Sequence, residues 1–192
     1  MLNTNSLITE PETRTFVRFQ DCDPLGHLNN ARYVDYFLNA RQDQLAQHYN
    51  LYIYDPSHST LSSWVVRRGS LAYLKPAAVM EEVLIRTRLI DFTQTALVVE
   101  GLMLDKNARN LKSLAWFEFV HISLRNGRPV EHSAELMQLC SRIVVPDGYD
   151  PNGFNRRVEV VRHQLRSGGV RFDNAGSAAR VNQRPVQSPS GL

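Results

Sequence analysis

Five polar side chains lie close together in one short segment, and their types suit acyl-transfer chemistry. They are Asp21, Asp23, His27, Asn29 and Asn30. A carboxylate here could attack an acyl carbon or act as general base on a water molecule. The unpaired N–H groups at the start of a following helix could hold the negative charge that develops on a carbonyl oxygen. On residue types alone, the same side chains also fit a turn followed by a helix cap.

A long helix is predicted directly after this segment. Asn29 is a favourable N-cap, and residues 30–50 contain neither proline nor glycine. Apolar residues recur near helical spacing, and two further residues widen the apolar face, as in a largely buried helix. The residues of this face are Tyr33, Val34, Phe37, Leu38, Ala40, Leu45 and Tyr49.

Five segments favour β-strands. Residues 13–20 alternate ahead of the helix, and beyond residue 63 the period changes to two over residues 64–74, 83–91, 95–104 and 111–123. The short polar connectors between the last three segments imply an antiparallel meander. One helix that covers one face of such a sheet gives an α+β domain with about five strands.

Composition divides the chain into a leader (1–12), a folded domain (13–145) and a basic tail (146–192). Residues 130–143 are predicted as a short helix or an irregular closing segment. The tail is expected to be mostly disordered because few large apolar residues follow residue 170, although residues 155–166 could form a helix. Deletion after residue 149 is therefore expected to leave fold and turnover nearly unchanged.

The net charge of +3 belongs to the tail. The tail has seven arginines against four acidic residues, and the rest of the chain has fifteen residues of each sign. The main body therefore gives no charge argument for nucleic-acid binding, and the tail allows only weak contact with an acidic partner.

Several other classes of protein are disfavoured. No apolar run approaches the roughly 20 residues of a membrane span, and the N-terminus lacks the basic start and apolar stretch of a secretory signal, which predicts a cytoplasmic protein. Two cysteines make no disulfide framework and no zinc cluster, so no metal or cofactor is predicted. Cys22 lies between two acidic residues that disfavour a thiolate, which indicates a structural role.

The polar segment resembles a known family signature. Residues 21–26 (DCDPLG), followed seven residues after the glycine by Tyr33, are similar to the signature of 4-hydroxybenzoyl-CoA thioesterase and its acyl-CoA thioesterase relatives. The GHLNN-x-x-Y variant at residues 26–33 resembles the form found in bacterial acyl-CoA and plant-type acyl-carrier-protein thioesterases. Residues 65–77 resemble the second strand of this family and the turn after it. The likeness covers roughly residues 13–143.

The resemblance implies the hotdog fold, in which a curved antiparallel sheet wraps a long helix, and it implies residue roles. Asp23 matches the catalytic carboxylate, and the backbone N–H of Asn30 matches the donor that polarises the thioester carbonyl. His27 would orient water or Asp23, or simply pack. Asn29 would cap the helix and help to shape the site, and Tyr33 would line it or pack. Some relatives carry histidine at position 30, so any histidine function here would come from His27.

The expected activity is hydrolysis of an acyl-CoA or an acyl-carrier-protein thioester to a free acid and a thiol. The alternative is a non-catalytic hotdog module that binds or senses an acyl-thioester, and a hotdog dehydratase fits the motif poorly. A homodimer or homotetramer is expected, because an open sheet leaves an edge uncovered and because sites in the resembling family lie between subunits. Cations for coenzyme A phosphates could come from Arg67, Arg68, Lys75, Arg86 and Arg88.

Overall fold

The computed structural model describes residues 7–53, 61–146 and 149–167. Eight helices and strands occur in these ranges, with short 3₁₀ turns at Phe19–Asp21 and Asn30–Arg32. In chain order they are β1 (Glu12–Phe16), α1 (Tyr33–Tyr49), β2 (Ser62–Tyr73), β3 (Glu82–Phe92), β4 (Ala96–Asp105), β5 (Leu111–Ser123), α2 (Ala134–Ile143) and α3 (Phe154–Arg166).

The five strands form one sheet in the order β1-β3-β4-β5-β2, and every neighbouring pair is antiparallel. Strands β3, β4 and β5 make the predicted meander, and β1 and β2 are the two edges. The predicted α+β class with the hotdog arrangement is confirmed. Strand β1 ends four residues earlier than expected, because the chain turns at Phe19, whose side chain is 83% exposed.

Helix α1 packs on one face of the sheet through Phe37. An added Cβ at Gly101 of β4 would lie 2.6 Å from Phe37 Cδ1, so the ring sits directly on the strand backbone. Gln44 is fully buried on the same helix, and its amide nitrogen donates to Ile85 O and Thr13 Oγ1. The buried amide is therefore satisfied. The helix ends at Tyr49 and is capped by Asn50, which adopts a left-handed conformation with φ of 52°.

Helix α3 covers the opposite face of the sheet. In the sequence it lies after residue 145, where composition suggests that the domain ends. Val158 and Val161 are buried there against an apolar cluster that includes Leu104 and Trp116. Residues 155–166, for which a helix was considered, lie within α3, and α3 is part of the folded core. Residues 168–192 of the expected tail lie outside the described residues.

The end of the expected leader also joins the domain. Glu12 opens β1 and pairs with Arg86, Glu10 pairs with Arg88, and the Tyr49 hydroxyl donates to Ile8 O. Residues 1–6 lie outside the described ranges. Within those ranges, no helix has both the length and the apolarity that a bilayer span requires.

The closing segment contains α2. Ser133 caps its N-terminus by accepting a hydrogen bond from the Leu136 backbone N–H, and Cys140 and Ile143 are its buried residues. Of the two types considered for residues 130–143, the structure shows a helix.

Candidate active site

The carboxylate of Asp23 is held by the backbone of its own loop. Its Oδ1 atom accepts hydrogen bonds from the Leu25 N–H at 2.9 Å and the His27 N–H at 3.2 Å. The Asp23 N–H donates to His27 O at 2.8 Å, which closes the loop. Gly26 has φ of 75°, a left-handed conformation that favours glycine. The half-buried carboxylate is thus oriented by main-chain donors rather than by another side chain.

The start of the helix follows directly. Asn29 is the N-cap of the 3₁₀ turn that leads into α1, and its Oδ1 accepts from the Ala31 N–H at 3.0 Å, as predicted. Asn30 is the first residue of this turn, where backbone N–H groups lack partners within the helix. The Tyr73 hydroxyl of β2 donates to Asn30 O at 2.8 Å. A strand at the sheet edge therefore fixes the residue whose N–H is the expected oxyanion donor.

A second loop supports the Asp23 loop through the main chain. The Leu28 N–H donates to Ala77 O, and the Val79 N–H donates to Gly26 O, each at 2.8 Å. His27 and Ala78 form an isolated antiparallel bridge between these bonds. The position of Asp23 consequently depends on the loop of residues 76–81.

That supporting loop is held by a buried cation. Lys112 of β5 is 7% exposed, and its Nζ donates to Pro76 O and Glu81 Oε2, both at 2.8 Å. Glu81 Oε2 also accepts from the Ala78 N–H at 2.9 Å. Sequence reasoning gave Lys112 no role, because its place beneath the loop depends on the β2–β5 pairing.

Asp21, the other carboxylate of the segment, is engaged by α1. Its Oδ2 accepts from the Tyr36 hydroxyl at 2.9 Å, and the same hydroxyl accepts from the Arg18 N–H. Burial raises the pKa of Tyr36, the Arg18 backbone bond lowers it, and the bond to Asp21 raises it further. Tyr36 was missed by the sequence analysis, although it follows Tyr33 by three residues and so lies nearby on the helix.

The two remaining residues of the predicted site, His27 and Tyr33, differ in their surroundings. His27 is half-buried, and its contact with the Asp23 carboxylate is through the backbone N–H. Tyr33 is 2% exposed in the core, with its ring 5.1 Å from that of Tyr73 in an edge-to-face contact. In this chain Tyr33 packs and does not line an open surface.

Two of the five cation candidates are unavailable to a phosphate. Arg86 and Arg88 are buried in ion pairs, with Glu12 for the former and with Glu10 and Glu100 for the latter. As candidates for contact with coenzyme A they are therefore disfavoured, because both faces of β3 are covered. The three candidates that remain exposed are Arg67 and Arg68 on β2 and Lys75 just after it.

Cys22 has the features of a structural thiol. Its Sγ lies 3.3 Å from Arg18 O, and burial together with the charges of Asp21 and Asp23 raises its pKa. The thiol form therefore dominates at neutral pH. Among the described residues, no group of three or more His, Cys, Asp or Glu side chains is placed to hold a metal ion.

A comparison with protein-family models assigns the chain to a superfamily. The model of the thioesterase-like superfamily matches residues 17–139, so the chain belongs to that superfamily. The match includes the Asp23 loop, α1 and all of β2 to β5. None of the curated proteins compared with the chain is similar enough in sequence to match it.

Solved structures share the fold at low sequence identity. A probable thioesterase from Escherichia coli is 22% identical, with a TM-score of 0.57 over 70% of this chain and 98% of its own. A DHNA-CoA thioesterase from Staphylococcus aureus is 16% identical, with a TM-score of 0.59 over 84% and 96%. A 1,4-dihydroxy-2-naphthoyl-CoA thioesterase from Synechocystis is 13% identical, with a TM-score of 0.62 over 70% and 95%.

Proposed function

We propose that this protein is a cytoplasmic acyl-CoA thioesterase that hydrolyses its substrate to a free acid and coenzyme A. The observation that carries the proposal is the geometry of Asp23. Its carboxylate is held by two backbone donors, just before the 3₁₀ turn that begins at Asn30 and leads into α1. Membership of the thioesterase-like superfamily supports the reaction class. Two similar structures bear the names of CoA thioesterases, which supports the choice of thiol.

In the proposed reaction, the Asp23 carboxylate attacks the acyl carbon or removes a proton from an attacking water molecule. The Asn30 backbone N–H and the positive end of α1 stabilise the oxyanion that forms. The carbon–sulfur bond then breaks, and the coenzyme A thiolate takes a proton. Water supplies the hydroxyl of the acid, either directly or by hydrolysis of an acyl-Asp23 intermediate. Asn29 shapes the turn, and His27 assists from beside the carboxylate.

Coenzyme A phosphates require cations at the surface. Arg67 and Arg68 are exposed on β2, and the Arg67 guanidinium pairs with Glu118. Because β2 is a sheet edge, a second copy paired along it would bring these arginines close to the partner subunit's surface. We therefore assign the phosphates to these two residues in a dimer or a dimer of dimers. An acyl-carrier-protein substrate would present a phosphopantetheine phosphate to the same residues.

The test is Asp23→Asn assayed by thiol release on acyl-CoAs from short to long, with aryl-CoAs included. Asparagine keeps the Oδ1 acceptor for both backbone donors but can neither attack nor take a proton. We expect a rate loss of roughly 10²–10⁴-fold or more, with an unchanged circular dichroism spectrum. Asp43→Asn, at an exposed position of α1, is the matched control.

Two results would overturn the proposal. Activity of Asp23→Asn within tenfold of wild type would remove Asp23 from the mechanism. Tight binding of acyl-CoAs without thiol release from the wild-type protein would establish the non-catalytic module instead.

A further inference from the structure

The end of the β2–β5 strand pair carries two polar side chains that reach the candidate active site. Tyr73 is the last residue of β2 and lies opposite Ser113 of β5. Lys112 is the residue before Ser113, and its carbonyl oxygen accepts from the N–H groups of Leu74 at 2.8 Å and Lys75 at 3.1 Å. These bonds continue the pairing past the end of β2. Tyr73 and Lys112 are therefore fixed relative to each other by the main chain.

The Lys112 side chain joins the two ends of the loop of residues 76–81. Its Nζ lies 2.7 Å from Glu81 Oε1 and 2.8 Å from Glu81 Oε2, and it donates to Pro76 O at 2.8 Å. An ammonium group has three N–H donors, so these three oxygens can satisfy it although Lys112 is only 7% exposed. The loop that supports the Asp23 segment is thus closed by one buried charge.

The same loop contains a backbone conformation that needs support. Met80 has φ of 62°, a left-handed value that is uncommon for a residue other than glycine. Its N–H donates to Val17 O, and the Val17 N–H donates to Glu81 O, each at 2.9 Å. A conformation of this kind persists only where its surroundings hold it. Without the Lys112–Glu81 pair, the bonds to Val17 would have to hold this turn alone.

Tyr73 acts on the other part of the site. Its hydroxyl donates to Asn30 O at 2.8 Å, and its ring lies edge-to-face against Tyr33, which is 2% exposed. The buried Tyr33 ring anchors the Tyr73 ring, so the hydroxyl has a fixed position. The turn that begins at Asn30 is thereby tied to the end of β2.

We propose that Lys112 and Tyr73 are positioning residues for thioester hydrolysis, an inference that rests on the proposed function. Lys112 fixes the Asp23 carboxylate through the loop of residues 76–81, and Tyr73 fixes the turn that carries the Asn30 N–H. Neither side chain needs to touch the substrate. One end of a single strand pair therefore sets the distance between the carboxylate and the oxyanion donor, and the rate depends on this geometry.

The kinetic test compares Lys112→Met and Tyr73→Phe with wild type by thiol release. Lys112→Met should lower kcat roughly 10–100-fold, since a misplacement of about 1 Å can cost about 100-fold. Tyr73→Phe removes one hydrogen bond and should lower kcat about three- to tenfold. KM should change less than about twofold, because the lost effect belongs to the transition state.

Conservative and control variants accompany these two changes. Lys112→Arg keeps the charge and should retain more activity than Lys112→Met. Lys106→Met and Tyr52→Phe make the same changes at exposed positions and should match the wild type.

Hydrogen exchange followed by mass spectrometry separates positioning from a general loss of stability. Lys112→Met should speed exchange in peptides that cover residues 21–30 and 76–82, and it should leave residues 97–104 of β4 unchanged. General destabilisation would speed exchange in β4 as well. If Lys112→Met does not fold, Lys112→Arg and Tyr73→Phe carry the test, since the latter removes a single oxygen atom from a side chain at the surface.

The outcomes distinguish this inference from the proposed function. Wild-type kcat in Lys112→Met or Tyr73→Phe, or exchange that rises equally in β4, would overturn the inference even where Asp23→Asn is inactive. An active Asp23→Asn protein would instead remove the proposed reaction, whatever the exchange of the Asp23 loop shows.

Discussion

Arg157 of α3 donates two hydrogen bonds to the buried carboxylate of Glu100 in β4, at 2.9 Å from Nε and 3.0 Å from Nη2. Glu100 is 1% exposed, and it also accepts from Trp116 Nε1 and pairs with Arg88. Burial alone would raise the pKa of Glu100, but the Arg157 hydrogen bonds and both arginine charges lower it overall. Helix α3 therefore supplies half of a buried ion pair as well as apolar cover for the sheet.

Deletion after Tyr149 is expected to destabilise the protein, in contrast to the expectation from composition. Loss of one partner of a buried ion pair costs about 3–5 kcal/mol, and the removal of Val158 and Val161 also exposes the sheet face. Urea unfolding followed by circular dichroism measures the loss. Deletion after Ser167, which keeps α3 whole, is the matched control. Equal midpoints for the two truncated proteins would show that α3 adds no stability.

Gly101→Ala should loosen the contact between α1 and the sheet. The new methyl group would lie 2.6 Å from Phe37 Cδ1, so the ring or the helix must shift, and such overpacking costs about 1–3 kcal/mol. Gly69→Ala on β2 is the control, because its Cβ would meet the Phe117 ring at an ordinary 3.5 Å. Thermal melts of both variants give the comparison. A Gly101→Ala protein that melts at the wild-type temperature would contradict the close approach.

Stability should fall on mild acidification because of His132. Its Nε2 accepts from Trp64 Nε1–H at 3.1 Å, and its Nδ1 faces Thr93 O at 3.2 Å, so the ring is held neutral. Burial lowers the pKa of His132, the Thr93 carbonyl raises it, and the charge of His121 lowers it. The folded pKa is thus below the unfolded value of about 6.5.

The direction of this pH dependence follows from the difference between the folded and unfolded pKa values of His132. The stability that His132 contributes is present above pH 6.5 or so and is lost as pH falls through the folded pKa. Urea unfolding at neutral pH and at pH values below that range should show a smaller pH dependence in His132→Phe than in wild type. His163→Gln, at an exposed position of α3, serves as control. An identical pH dependence in wild type and His132→Phe would refute the assignment.

The edge strand β2 is expected to pair two copies of the chain. Its stretch from Val65 to Gly69 is exposed, and unpaired edges of this kind bind further strands. Sedimentation should show dimers or multiples of dimers, and Val65→Asp with Val66→Asp should shift the protein toward monomer with reduced turnover. Val160→Asp, at an exposed valine of α3, controls for added charge. A wild-type protein that sediments only as monomer at micromolar concentration would contradict the pairing.

The elements and the Asp23 segment could be predicted from the sequence because their signals are local. Asn29 caps the turn through a bond to a residue two positions away, and Gly26 makes its turn by its own backbone freedom. The alternation of β3 to β5 likewise depends on neighbours in the chain. Strands β2 to β5 therefore begin and end within two residues of their predicted limits. Strand β1 ends four residues early, before a turn that the alternating pattern did not predict.

Tertiary structure decided which faces are covered and which charges are paired. Alternation places Leu84, Arg86 and Arg88 on one side of β3, but only the packing of α3 and the pairing of β1 make that side an interior. The buried face of α3 could not be predicted from its polar sequence. That face includes Arg157, whose charge is paired with Glu100, 57 residues earlier in the chain. The buried positions of Lys112 and Arg41 also depend on contacts between distant segments, which no local pattern encodes.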